Sequence, residues 1–229
     1  ADTEMKRKGY NGHYHNGRRN TVGLYWRRDL FNQVGKPKFE TFSTGKPCIL
    51  QLLTHRKTNK TLLAVSIHLS VPLDRDQKPD EGKCLNEVDE MITACQKKIS
   101  AQPSGSIHSM LVAGDMNAKP GTSVYRKLTE EYRGTSAYRT VCGKEPLYTS
   151  VKPEFRETID YILSWDFEGR MFASSVLGVK NPCQNVAHES DLSPSDHLPI
   201  VARFEFGGGG GGGGREQQSE VLMVPNDRV

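Results

Sequence analysis

Apolar residues along this chain fall into short runs divided by polar turns. "GLYWRRDLF" (23–31) carries aromatic and aliphatic residues with few breakers, which predicts a strand. "CILQLLTHR" (48–56) and "TLLAVSIHLS" (61–70) flank the polar turn "KTNK" and predict a β-hairpin. The period then changes. In "EGKCLNEVDEMITACQKKIS", Leu85, Val88, Ile92, Cys95 and Ile99 recur at spacings of three and four, the stripe of an amphipathic helix. The turn-rich "AQPSGS" leads into the apolar run "MLVAGD" (110–115). "SVYRKLTEEY" (123–132) predicts a second helix with Thr122 or Ser123 as N-cap. "TIDYILSW" (158–165), "LGVK" (177–180) and "HLPIVARFEF" (197–206) predict the remaining strands. Strands outnumber helices and hairpins imply mixed or antiparallel pairing, so the class is α/β or α+β with helices covering sheets.

Composition narrows this picture modestly. A chain of 229 residues, 35% hydrophobic and 25% charged, can bury one sizeable core, so residues 1–206 are expected to form one domain. Gly207–Gly214 is a flexible linker, and 215–229 is expected to be a disordered tail. The apolar cluster Val221–Val224 leaves open a docking peptide for a protein partner. No apolar run approaches the ~18–20 residues of a membrane span, and "ADTEMKRKGY" lacks the apolar segment of a secretory signal. Cys48, Cys84, Cys95, Cys142 and Cys183 form no CxxC pair. That pattern argues for reduced thiols and an intracellular setting; the expected compartment is the cytoplasm, with nuclear and mitochondrial sites left open. A net charge of +4, with clusters at 6–8, Arg18–Arg19 and Arg27–Arg28, suits a polyanionic partner without requiring one.

Four stretches carry candidate chemistry. In "LVAGDMNAKP", Gly114 is expected to break a buried strand so that Asp115 and Asn117 emerge from its end. Two residues apart on an extended chain, they would face one centre. A carboxylate and an amide suit a hard cation and a phosphate; they are also ordinary turn formers. In "SPSDHLPIVARF", Asp196 can bind a metal and His197 can take a proton at neutral pH, or the pair is a loop accident. Asp160 lies inside an apolar strand, where a charge needs a partner. A histidine held in one tautomer is the natural one, a lysine or arginine the structural alternative. His68 ends the strand "AVSIHLS", either as a core histidine or as part of the site. Taken together, the set fits metal-assisted phosphoester hydrolysis.

"IHLS", "GDMNAKP", "TIDYI" and "PSDHLPIVARF", in this order, resemble the endonuclease/exonuclease/phosphatase superfamily with its deoxyribonuclease-I-like fold. "GYNGHYHNGRRNTVGLYWRRDLF" and "EPLYTSVKPEFRETIDYILSW" are similar to its deadenylase branch, and the resemblance covers roughly 9–206. It implies a two-sheet sandwich flanked by helices in four layers, α/β/β/α, with Mg²⁺ (or Mn²⁺) at the strand ends. It implies that Asp115 and Asn117 bind metal and phosphate, that Asp196 is a metal-side carboxylate, and that His197 is catalytic. Asp160 would orient His197, His68 would contact the scissile phosphate, and Phe155 would stack an adenine base. Ser150 stands where the branch commonly carries asparagine. The family's glutamate ligand lies some twenty residues before the "GY" that here begins at Gly9, and Glu4 is too close to replace it. The expectation is a chain that starts mid-domain, without the first strand and helix, and binds metal weakly. The implied activity is a Mg²⁺-dependent 3′-exoribonuclease that trims poly(A) RNA and has no membrane partner. The alternatives are a nocturnin-like nucleotide phosphatase acting on a dinucleotide phosphate and a non-catalytic scaffold.

Overall fold

The structure, a computed structural model, describes residues 2–18, 20–73, 76, 80–152, 155–169, 171–177, 196–206 and 218–219. A short helix, α1 (Asp2–Arg7), precedes five strands: β1 (Tyr10–Asn16), β2 (Thr21–Arg27), β3 (Phe31–Thr41), β4 (Pro47–His55) and β5 (Thr61–His68). The long helix α2 (Gly82–Ser100) leads to β6 (Ser109–Asp115), α3 (Ser123–Arg126), β7 (Thr135–Ser136) and α4 (Ala137–Cys142). β8 (Ser150–Lys152), β9 (Phe155–Glu157), β10 (Asp160–Asp166), β11 (Met171–Leu177), β12 (Val201–Phe206) and the two-residue β13 (Gln218–Ser219) complete the described chain.

Six strands make the central sheet in the order β3-β4-β5-β6-β10-β7. β4 and β5 form the predicted antiparallel hairpin, β5 and β6 run parallel, and β10 returns antiparallel to β6. Parallel neighbours need a crossover, which α2 supplies across one face. Alternation along each strand then buries both faces. Cys48, Leu50 and Leu52 of β4 pack with Cys84, Val88, Met91 and Cys95 of α2. Ile49 and Leu53 face a second layer formed by Val22, Leu24 and Trp26 of β2 with Ala202, Phe204 and Phe206 of β12. Each fully buried leucine contributes about 1.5–3 kcal/mol. The second layer consists of two antiparallel ladders, β1–β2 and β11–β12, with Gln218–Ser219 adding a short pairing to β12. The result is the expected mixed α/β architecture, a large sheet flanked by helices. Among the described residues no helix is long and apolar enough to cross a membrane.

Several local expectations need correcting. The run 23–31 is two strands: β2 ends at Arg27, and a turn carrying the Arg27–Asp29 ion pair (2.5 Å) starts β3 at Phe31. β3 was hidden by Gly35 and Pro37, which read as breakers. Both lie between Val34 and Lys38, where the ladder with β4 is interrupted and proline's missing N–H costs nothing. Thr122 is the N-cap of the second helix, its hydroxyl accepting from the Tyr125 amide, but one α-turn gives way to a π turn at Lys127–Glu131. The strand placed at 177–180 is β11, mostly upstream. A register shift at Ala173/Ser175 spoils its period of two and hid it from the apolar pattern. Gly178, Val179 and Lys180 lie outside the described residues, as do 207–217 and 220–229, which hold the expected linker and most of the tail. Cys48, Cys84 and Cys95 are buried free thiols, but Cys142 is disulfide-bonded, so the expectation of uniformly reduced cysteines fails there. Sequence spacing gave no sign of it, because spacing does not report which sulfurs meet in space.

Candidate active site

The pleat decides where the polar side chains go. On β5, β6 and β10, Leu62, Ala64, Leu111, Ala113 and Ile162 belong to the core on the second-layer face. The same parity sends His68, Asp115 and Asp160 to that face. The ladders then align them: His68 pairs with Asp115 across β5–β6, and Asp115 pairs with Asp160 across β6–β10. Three polar residues far apart in sequence therefore stand in a row at one end of the central sheet. His68 Nε2 lies 3.7 Å from Asp115 Oδ2.

Gly114 does not break the strand. It pairs with Ile67 on one side and Tyr161 on the other, and a Cβ there would lie 1.9 Å from the Ile67 carbonyl oxygen. Close approach, not chain termination, explains this glycine. Asp115 and Asn117 meet through the backbone, not by the strand alternation expected. Asn117 is left-handed (φ 47°), not extended, and its backbone N–H donates to Asp115 Oδ1 at 2.8 Å. Its side-chain amide donates to the Leu69 carbonyl at 2.9 Å. Tyr161 holds the loop that follows, its hydroxyl lying 2.7 Å from Ala118 O and 3.0 Å from Thr158 O. Burial pushes that phenol far above its ordinary value, so it stays a neutral donor.

His197 arrives from the far end of the sequence. Val151 N–H donates to Asp196 O and Leu198 N–H to Thr149 O, both at 2.7 Å, so the chain around His197 pairs with the start of β8. His197 Nδ1 lies 2.9 Å from Asp160 Oδ2 and 3.1 Å from Oδ1. A carboxylate only accepts, so Nδ1 carries the hydrogen and Nε2 of the neutral ring is left as an acceptor. The natural partner expected for Asp160 is the one it has.

Asp160 is only 1% exposed, and a buried carboxylate needs donors. Thr149 supplies one, its hydroxyl donating to Oδ2 at 2.7 Å while accepting from the amides of Ile159 and Asp160 at 3.0 Å. Thr149 was missed as a site residue, since a hydroxyl in "YTS" signals nothing until β8 and β10 bring it to Asp160. Asp115, Asp160 and His197 place ligand atoms within 4.8 Å of one another. Asp196 precedes His197 in the chain but lies outside that trio. The side chain of Phe155, expected to stack a base, lies outside the described residues, although its backbone forms β9. Ser150 is fully buried, and its hydroxyl has no hydrogen-bond partner among the described residues.

The donor chemistry suits a divalent cation. Two carboxylates this close repel one another, and a hard cation relieves that repulsion. Asp115 and Asn117 offer oxygen ligands, the type Mg²⁺ and Mn²⁺ prefer.

The profile of the Endonuclease/Exonuclease/phosphatase family matches residues 2–197. The Candida albicans CCR4-Not complex 3′-5′-exoribonuclease subunit Ccr4 is 24% identical over 206 residues, covering 78% of this chain and 25% of that protein. The chain spans about a quarter of the length of the curated relatives it matches. The human nocturnin catalytic domain with bound sulfate superposes with a TM-score of 0.67 at 22% identity, covering 89% of this chain and 75% of that one. ANGEL2, a 2′,3′-cyclic phosphatase, gives 0.63 at 16% identity, covering 88% and 76%.

Proposed function

The chain belongs to the Endonuclease/Exonuclease/phosphatase family, with relatives in its deadenylase branch, and from that premise we propose a metal-dependent 3′-exoribonuclease that trims poly(A). The observation that carries this is the buried Asp160–His197 pair set within 4.8 Å of Asp115 at the strand ends. His197 Nε2 takes the proton of the attacking water, and Asp160 fixes the ring and stabilises the imidazolium that forms. Thr149, donating to Oδ2, holds Asp160 aimed at the ring. Asn117 and His68 donate to the phosphate oxygens as charge develops there. Asp115, Asn117 and Asp196 would hold Mg²⁺ or Mn²⁺, which when bound neutralises charge on the phosphate. Phe155 would stack the terminal base.

A second substrate class, a small nucleotide phosphate, is favoured by one observation. Buried Ser150, with its unpartnered hydroxyl, stands where the branch's base-recognising asparagine commonly lies. The deciding experiment incubates the chain with poly(A) RNA and, separately, with nicotinamide dinucleotide phosphate, beside Asp115→Ala and His197→Ala. Stepwise shortening of RNA that requires Mg²⁺ and is lost in both variants supports the exonuclease. Phosphate release from the dinucleotide alone selects the phosphatase, and no metal-dependent product from either would leave the scaffold alternative standing.

A further inference from the structure

Glu87 is the most deeply buried acid of α2 and has no place in the chemistry above. It is 0% exposed, packed beside Cys84, Val88 and Met91. A carboxylate in that position is costly, and an apolar side chain of similar volume would serve packing better. Its oxygens are instead fully employed. Ser70 N–H donates to Oε2 at 2.7 Å, Ser70 Oγ donates to Oε1 at 2.6 Å, and the Thr44 hydroxyl also donates to Oε1. Cys84 Sγ lies 3.0 Å from the Ser70 carbonyl oxygen, so α2 grips that residue from both sides.

Ser70 is the point where α2 meets the site. The preceding residue, Leu69, donates its N–H to the Asp115 carbonyl at 2.9 Å and accepts the Asn117 side-chain amide at 2.9 Å. His68 comes immediately before. Fixing both the amide and the hydroxyl of Ser70 therefore fixes the carbonyl that orients Asn117 and the backbone that carries His68.

We propose that Glu87 is a positioning residue: its buried carboxylate locks Ser70 and, through Leu69, sets the orientation of Asn117 and His68 toward the phosphate. The inference rests on the reading of the site given above. Its neighbour Glu90 supplies the control. It is three residues along the same helix and makes a comparable pair of bonds, accepting from Ser43 N–H at 2.9 Å and Ser43 Oγ at 2.5 Å, but it does not reach Ser70. Glu90 is only half-buried, so the comparison is made at the Leu69 and Ser70 amides, which only Glu87 reaches.

The test compares Glu87→Gln, Ser70→Ala and Glu90→Gln in the full chain, with two readouts. Glutamine keeps one acceptor and turns the other into a donor, stranding part of Ser70. In E87Q, kcat on poly(A) is expected to fall at least about tenfold with KM within about twofold, and S70A to lose less. Hydrogen exchange of the Leu69 and Ser70 amides should accelerate about tenfold or more in E87Q and stay unchanged in E90Q. Unchanged exchange at Leu69 and Ser70 in E87Q would overturn the proposal, as would a loss of kcat in E90Q equal to that in E87Q. Should the parent chain turn over no RNA, the proposed activity fails, while the exchange data still decide whether Glu87 holds this backbone.

Discussion

At one end of β5, β6 and β10, the ladders set His68, Asp115 and Asp160 side by side; at the other, they set Leu63 beside Met110 and Met110 beside Trp165. Burial does not distinguish the two ends. Asp160 at 1% and Asp115 at 4% are as inaccessible as Leu63 at 0% and Met110 at 3%. What differs is how much polar group each end must satisfy. The far end buries neutral groups, the Ser109 hydroxyl and the Trp165 indole N–H that donates to the Tyr132 carbonyl at 2.6 Å, beside an apolar recess of about 480 Å³ lined by Ile92, Ile99 and Met110, while its one carboxylate, Asp166, is only half-buried. The near end holds two carboxylates, and bonds from Thr149, His197 and the Asn117 amide converge on them. A fold that needed only stability would not gather charge this way. The concentration of buried carboxylates, not depth, sets the proposed reactive end apart.

The sharpest way to break this contrast is to strip the near end. His197→Ala, Asp160→Ala and Asp160→Asn should each cut turnover by about 10²–10⁴. The asparagine variant is included because it can hold the ring in the wrong tautomer. Steady-state kinetics on poly(A) checks this, and a variant that keeps more than a tenth of parental kcat would dissolve the distinction. The matching change at the far end is Trp165→Ala. It should cost about 3–5 kcal/mol of stability, read by urea unfolding, and leave turnover per folded molecule unaltered.

Thr149→Val probes whether the near end depends on its second layer of bonds. Removing a hydroxyl that serves a buried carboxylate should destabilise the fold by about 1–3 kcal/mol and lower kcat as well. A stability loss with unchanged kcat would make Thr149 a packing residue only.

The smallest effect belongs to Glu145, which accepts from Tyr125 Oη at 2.6 Å and Ser136 Oγ at 2.9 Å. Burial raises its carboxyl above 4.5, against the lowering pull of those donors. The folded state therefore holds this proton more tightly than the unfolded one. Its contribution to stability is full below pH 4.5 and is lost as pH rises through the folded value. Glu145→Gln should flatten that decline in unfolding free energy measured from pH 4.5 to 7; an identical slope in parent and variant would show that Glu145 is not its source.

Much of this architecture was legible in residue order. Short continuous apolar runs marked β4, β5, β6 and β10, a helical stripe marked α2, and His68, Asp115, Asn117, Asp160 and His197 stood out as polar residues inside or at the ends of those runs. The missing parts share a physical cause. β3 and β11 carry interruptions that erase local periodicity, and their pairing is dictated by neighbours. Thr149 and Glu87 look ordinary in sequence, because their significance lies in hydrogen bonds that exist only after distant strands and α2 have packed. Asn117 shows the same limit: a left-handed turn, not the strand alternation that two-residue spacing implied, sets its backbone N–H on Asp115 and its side-chain amide on the Leu69 carbonyl.

The most direct test of the reactive end is a double-mutant cycle on Asp160 and His197, with poly(A) turnover as the readout. If the two side chains work as one proton-handling unit beside Asp115, the double alanine variant will be no slower than the worse single variant. Rate losses that multiply independently would contradict the account.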